Sequence, residues 1–306
     1  MRKSRVIAVA LAMGIGLAGC SPTTRTVAEI PETEYTQAGY SVKAEVEEDG
    51  TVKITYGLIG VKDDKIKYIY LDQIEENPAE DRFLMTNKEM ENAYGLSYIS
   101  DHGEWSTQVR ALENYIAGHT MTIEEVNAIP TYEKDEDNLN VPTEGSDLEA
   151  GCELDITDFL DVINDAYDNL EDTNATRLGI GEDVRIHNAD NRIDVTFSFV
   201  GTDYRYKICY EHLDTYSVYG EPGADIRSQK EKAEEQPELF EWRKGIEGFE
   251  EYIMGLNMTE AYGVETYDPG NGIETALPKA GTDLAEVCNI DLDKFIITLR
   301  EAAGRL

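Results

Sequence analysis

The sequence predicts an α+β chain made of two tandem copies of a small domain, each an antiparallel strand meander packed with two amphipathic helices. Three observations predict it: a long-period internal duplication, alternating apolar and polar runs at the start of each copy, and apolar stripes at helical spacing further on. In the duplication, residues 104–167 begin EWSTQVRALENYIAGHTMT and residues 241–303 begin EWRKGIEGFEEYIMGLNMT. Setting Trp105 against Trp242 pairs Glu113 with Glu250, Tyr115 with Tyr252, Gly118 with Gly255 and Met121 with Met258. After a short gap, Gly145, Asp147, Leu148, Cys152, Phe159 and Ala166 pair with Gly281, Asp283, Leu284, Cys288, Phe295 and Ala302. A period of 137 residues is too long for a solenoid, whose units run roughly 20–50 residues, and is the size of a whole small domain.

Residues 1–20 read as a lipoprotein signal peptide. Arg2, Lys3 and Arg5 precede an apolar run, Val6 to Ala18, that is shorter than the roughly 20 residues a spanning helix needs. The ending Leu17-Ala18-Gly19-Cys20 matches the bacterial lipobox, in which small residues precede the cysteine that becomes the acylated N-terminus. Cys20 is therefore the expected lipid attachment site, with acyl chains that hold a protein on a membrane through about 0.8 kcal/mol per buried methylene. The expected location is the outer face of the bacterial cytoplasmic membrane. Residues 21–38, rich in Thr, Glu and Pro, read as a solvated tether.

The first copy is expected over 39–170. Residues 40–46 alternate as a half-buried strand, Asp49-Gly50 supplies a turn, and residues 51–56 alternate again. Asp63-Asp64 separates this hairpin from a third strand, 65–72. A short helix or turn spans Lys88 to Tyr94. Trp105, Val109, Leu112 and Ile116 then lie on one helical stripe, with Gly118 placed as the left-handed residue after its end. Residues 133–140 (EKDEDNLN) form an acidic loop that departs from the calcium-loop pattern at its fifth position and lacks the glycine. Phe159, Ile163, Ala166 and Leu170 define a second helix face.

Residues 168–183 are polar and unpatterned, and 171–183 are read as the inter-domain linker, leaving 184–306 as a diverged second copy. Its strands are expected at 192–200 and 204–213. Its helices carry Trp242, Ile246, Phe249 and Ile253, ended by Gly255, and then Leu292, Phe295, Leu299 and Ala302. Between Asp214 and Trp242 the copies diverge, and the Tyr94-Gly95 loop of the first has no counterpart, which favours the first copy as the ligand-binding one.

Formal charge is −35, and −38 once Arg2, Lys3 and Arg5 leave with the signal peptide. Nucleic acid and anionic headgroups need a basic face and are excluded as partners. Apart from Cys20 there are three cysteines, an odd number that closes no disulfide framework. Cys152 and Cys288 read as buried thiols, with one pair involving Cys209 as the alternative. The four histidines have no metal-ligand spacing, and His102 beside Glu104 reads as a surface histidine rather than an acid–base pair. No hydrolase elbow, zincin or phosphate-loop motif occurs.

The stretches DDKIKYIYLDQIE, TNKEMENAYGLSYISDHGEWSTQVRALENYIAG and DLEAGCELDITDFLDVINDAY are similar to clostridial-type surface lipoproteins built from FMN-binding-like domains. Asp64-Lys65-Ile66 and Glu75 echo that family's Gly-Lys-Ile strand and following glutamate. The family's flavin-carrying motif, Asp-x-x-Ser-Gly-Ala-Thr, is matched at Asp147 and Gly151, but Ala150, Cys152 and Glu153 replace Ser, Ala and Thr. In the second copy Asp283 fits, while Val287 and Asn289 replace Gly and Thr. Neither Glu153 nor Asn289 offers the hydroxyl that a phosphoester requires. The resemblance therefore implies a non-covalent ligand, FMN or another, with cofactor-binding positions Tyr94, Gly95, Trp105, Gln108, Asp147, Gly151 and Cys152 and no catalytic or metal-binding residue. The alternative is a cofactor-free surface adaptor or solute-capturing lipoprotein.

Overall fold

The computed structural model describes residues 33–80, 84–136, 138–270 and 275–306. The signal peptide, Cys20 and the tether up to residue 32 lie outside the described residues. Among the described residues no helix is long and apolar enough to cross a membrane. Residues Thr33–Leu306 form one compact unit, of α+β class, in which the two copies are halves.

The first half opens with a meander of β1 (Gln37–Val46), β2 (Val52–Lys62) and β3 (Lys65–Glu76). Asp63 and Asp64 both take positive φ, the geometry of the tight turn that the Asp-Asp pair predicts. Next come α1 (Asn87–Met90), α2 (Trp105–His119) and α3 (Ile123–Asn127), the short pair β4 (Thr131–Tyr132) and β5 (Val141–Pro142), and α4 (Thr157–Asp168). Two-residue β6 (Glu171–Asp172) pairs with the start of β1.

The second half repeats the order: β7 (Arg177–His187), β8 (Arg192–Thr202), β9 (Ile208–Tyr219), α5 (Gln229–Lys232), α6 (Phe240–Ile253), α7 (Met258–Tyr262), β10 (Thr266–Tyr267), β11 (Leu277–Pro278), α8 (Leu284–Val287) and α9 (Asp293–Arg305). The sheets run β3-β2-β1-β6 and β7-β8-β9, antiparallel throughout. Each has a register shift at a repeat-equivalent glycine, Gly60 and Gly201.

The four layers are helices, sheet, sheet, helices. Ile54, Tyr56 and Leu58 of β2 pack against Ile180, Val195, Phe197 and Phe199 of the other sheet, with Tyr40 stacked on Phe199 at 4.4 Å and Tyr56 tilted against Phe197 at 4.8 Å. The opposite face of each sheet is covered by its own helices. Ile59, Val61 and Leu71 meet α2 and α4, and Val200, Ile208 and Leu213 meet α6 and α9. A central strand buried on both faces carries little polar alternation, which is why β2 extends well past the alternating core seen in the sequence, while β8 exceeds its expected span by two residues.

Three expectations are corrected. Residues 177–183 are not linker but the first half of β7, so the halves are joined by a much shorter connection. Gly179 and Gly181 obscured that strand, and they are needed there: a Cβ on Gly179 would lie 2.6 Å from the Ala302 carbonyl oxygen. Gly39 stands in the same relation to Ala166, so each final helix is seated directly on a strand backbone. The first strand starts at Gln37, two residues inside the expected tether. Gly118 does not end α2; it lies within the helix, and Thr120 takes the left-handed conformation at its end, donating its N–H to the Ala117 carbonyl. Gly255 does follow α6 at φ +79°. Cys152, Cys209 and Cys288 are free.

The two glycines should therefore respond oppositely. Gly118→Ala meets open space inside a helix and should stabilise by about 0.5–1 kcal/mol. Gly255→Ala forces a side chain into left-handed backbone and should cost about 1 kcal/mol or more. Urea denaturation midpoints of the two variants read both signs.

Candidate functional site

Beneath each helix layer the same polar cluster recurs. Asp72 is fully buried; it accepts from the Gln73 N–H at 2.8 Å, the Thr86 hydroxyl at 2.7 Å and the Lys88 N–H at 3.1 Å. Lys88 Nζ bonds Glu113 at 2.5 Å, and Glu113 also accepts the Leu71 N–H at 2.6 Å. In the second half Asp214 accepts from the Thr215 and Lys230 N–H groups at 2.7 and 3.3 Å, Lys230 Nζ bonds Glu250 at 2.6 Å, and Glu250 accepts the Leu213 N–H at 2.7 Å. Thr86 with Glu89 and Ser228 with Glu231 are capping boxes that start α1 and α5 and place both lysines. These clusters tie α1 and α2, or α5 and α6, to the third strand of each half. Their function is structural.

The repeated cluster also corrects the reading that the copies diverge between Asp214 and Trp242. Thr86-Asn87-Lys88-Glu89 and Ser228-Gln229-Lys230-Glu231 are counterparts. The first half is simply five residues longer between that motif and its tryptophan.

Those extra residues build one wall of an open cleft of about 410 Å3 in the first half. Gly95, at φ +82°, turns the chain between two short 3-10 turns, 91–93 and 96–98. Glu104 holds this loop, accepting from the Leu96 N–H at 2.9 Å and from the Ser97 hydroxyl, a bond that lowers its carboxyl pKa. Glu104 is therefore engaged away from His102, which faces Glu149 and Glu153 instead. The Trp105 ring, 5.9 Å from both Tyr94 and Phe159, forms an aromatic wall with them. Glu45, Glu47, Glu75, Asp155 and Asp158 line the same cleft. Lys53, which also lines the cleft, already bonds Glu45 and Asp158, both at 2.6 Å. Burial works against its charge, but these two carboxylates outweigh it and raise the Lys53 pKa.

The seven residues expected to bind a cofactor do not converge. Tyr94 and Trp105 line the cleft, with Gly95 in the loop beside it. Gln108 is buried, donating to the Ser100 hydroxyl and the Gly103 carbonyl and accepting the Glu153 N–H at 2.9 Å, so its amide is fully occupied by the protein. Cys152 is buried in the helix-layer core, where burial pushes its thiol up to about 11. Gly151 passes close to Ala111, and Asp147 is exposed on the preceding turn. Of the acidic lining only Glu75 was singled out in the sequence, through the family resemblance. Glu45 and Glu47 sit at the outward end of an alternating strand and read as ordinary solvated positions.

A second constellation lies at the seam between the halves. Among the described residues, Glu89, Glu182 and Glu301 have carboxylate oxygens within 4.8 Å of one another, close enough to share a metal ion. The Arg305 guanidinium already takes that place, at 2.5 Å from Glu182, 2.6 Å from Glu301 and 3.6 Å from Glu89. No family model matches the chain, and no curated protein or solved structure is significantly similar to it.

Glu211 is a further acid of note, half-buried with its Oε2 drawn out of solvent. Its Oε2 has no partner, and it occupies the position that Ile69 fills in the first half. Burial raises its pKa to about 8. A raised acid is stabilising in its protonated form, so folding stability should fall as pH rises from about 4.5, the unfolded value, to 8. Glu182 and Asp214 are raised into the same range, so Glu211→Ile should remove Glu211's share of that slope and be more stable at pH 8 by on the order of 2–4 kcal/mol, read from denaturation midpoints across that range.

Proposed function

We propose that the protein is an exported bacterial lipoprotein, held on the outer face of the cytoplasmic membrane through lipidated Cys20. Its first half captures a small organic cation with an aromatic or apolar body. The observation that carries the ligand class is a cleft lined by both the Trp105, Tyr94 and Phe159 rings and five carboxylates; Lys53 of that lining pairs with Glu45 and Asp158, which leaves Glu47, Glu75 and Asp155 without a cation in the cleft. Aromatic faces attract cations by about 0.5–2 kcal/mol, and a concave site with an apolar side and a few convergent charges is how small ligands are oriented. No group in this cleft is set up as a nucleophile with a base, so the reading is capture without catalysis.

The second reading is non-covalent FMN, drawn from the resemblance to FMN-binding-like domains. The flavin ring suits the aromatic wall. The phosphate does not suit the donor set, because it would face Glu45, Glu47, Glu75, Asp155 and Asp158 with Lys53 already paired. The third reading is a cofactor-free adaptor, for which the duplicated fold is scaffold.

Fluorescence titration of the full-length protein separates these readings. Benzyltrimethylammonium should quench Trp105 saturably, and the signal should vanish in Trp105→Phe, which keeps Trp242. Glu47→Gln with Glu75→Gln should weaken binding by about tenfold, ~1.4 kcal/mol, and added salt should weaken it further. Saturable FMN binding with a yellow complex would instead establish the flavin reading. Absence of both up to about millimolar, where binding is worth roughly −4 kcal/mol, would leave the adaptor. Independently, incorporation of labelled fatty acid should be lost in Cys20→Ala.

A further inference from the structure

Duplication makes the seam between the halves occur twice, and one occurrence is a guide to what the other can hold. At the first seam, α9 of the second half lies beside β3 and α1 of the first. The Arg305 guanidinium is gripped there by Glu182, Glu301 and Glu89, donates to the Ile180 carbonyl at 3.2 Å and lies over the Tyr70 ring at 5.4 Å. It is a cation that the chain supplies to itself.

The strand registers identify the counterpart of each of these groups. Gly39 corresponds to Gly179, Leu71 to Leu213 and Ala166 to Ala302, by their shared pairing and packing. His212 therefore stands for Tyr70, Glu231 for Glu89, Asp165 for Glu301, Val42 for Glu182 and Asn169 for Arg305. All five line an open cleft of about 400 Å3, which Glu171 and the rings of Tyr40 and Tyr216 complete. The built-in guanidinium is gone, together with the buried carboxylate that balanced it. The carboxylates at its rim are kept and joined by a third.

We propose that this second seam is a binding site for a small guanidinium-bearing ligand, which takes the place that Arg305 fills at the first. Asp165, Glu171 and Glu231 supply the negative charge, and His212, whose Nε2 lies 3.2 Å from Glu171 Oε1, sits tilted against the Tyr40 ring at 4.6 Å, so that two rings border the carboxylates. Beside them the Tyr210 hydroxyl, on a residue 3% exposed, has no hydrogen-bond partner and stands within electrostatic reach of Tyr40 and Glu171. Val42 leaves the inner wall apolar, so a ligand with an aliphatic stem is favoured over a bare ion. A planar guanidinium is weakly hydrated, lies flat on rings and bonds carboxylates in pairs, whereas a compact ammonium keeps its water. The site is separate from the cleft at Trp105 and does not rest on the capture proposed there.

The test is a titration of the full-length protein with argininamide, followed on the imidazole carbon–proton resonances of the four histidines. The His212 signal, assigned by its loss in His212→Gln, should shift saturably, while Trp105 fluorescence stays constant. Methylammonium at equal ionic strength should bind about tenfold more weakly, ~1.4 kcal/mol. Asn169→Arg recreates the first seam and should abolish binding, while Asp165→Asn, at an exposed position where folding is not at stake, should weaken it. A His212 signal that does not move, or moves equally with methylammonium, overturns the proposal. So does full affinity in both Asn169→Arg and Asp165→Asn.

Discussion

Each half of this chain is built on a three-strand meander whose sheet has two apolar faces, and only one of those faces is covered by its own helices. The other, carrying Ile54, Tyr56 and Leu58 in the first half and Val195, Phe197 and Phe199 in the second, is buried only when the halves meet. Leaving such a face in water costs roughly 25 cal/mol per Å2 of apolar area, and three strands of it form a patch larger than a soluble chain tolerates. The copies are therefore not beads on a string. Duplication supplies the partner that the fold requires, and the ring contacts Tyr40–Phe199 and Tyr56–Phe197 fix how the two sheets lie.

Once the sheets are face to face, the helix layers need their own attachment, and polar chemistry provides it. The Asp72, Lys88 and Glu113 cluster and its Asp214, Lys230 and Glu250 counterpart each satisfy backbone N–H groups of a strand and of a capped helix at once. A buried charge pair adds little net stability over apolar packing, but losing one partner strands the other. That asymmetry explains how six charged residues can remain beneath apolar helices in both copies while the surface around them changes.

Much of this was legible from residues alone: the duplication, the meanders, the helix stripes and the paired tryptophans. What was not legible has a physical reason in each case. Strand β7 hid behind Gly179 and Gly181, whose missing side chains make room for α9 and at the same time erase the alternation that marks a strand. The Lys88 and Lys230 counterparts were masked by a five-residue difference in length, which breaks a fixed-offset comparison. Trp105 and Tyr94 were found because a flat aromatic pair is visible in sequence. The acidic lining around them, Glu75 apart, was not, because Glu45, Glu75 and Asp158 come from three elements and only folding brings them to one cleft. Gln108 looked available as a polar group on a helix, yet its amide is consumed by the loop and turn it joins.

The differences between the halves then carry the functional argument, because the shared features are already accounted for by the fold. Where the first half has Ile69 the second has the half-buried Glu211. Where the second half supplies Arg305 to the seam the first supplies Asn169, and the balancing Glu182 becomes Val42. The last two changes are complementary: removing the arginine alone would strand a fully buried carboxylate, and removing the glutamate alone would strand a guanidinium. A paired loss keeps the seam intact without either charge, and it opens space at the surface rather than a fault in the core. The five-residue loop extension acts likewise, adding a wall to one side of an existing helix without disturbing the sheet beneath it. In both places the duplicated scaffold holds its shape while one copy is released from a structural duty, and a released surface with aromatic rings and more carboxylates than cations is suited to capturing cations.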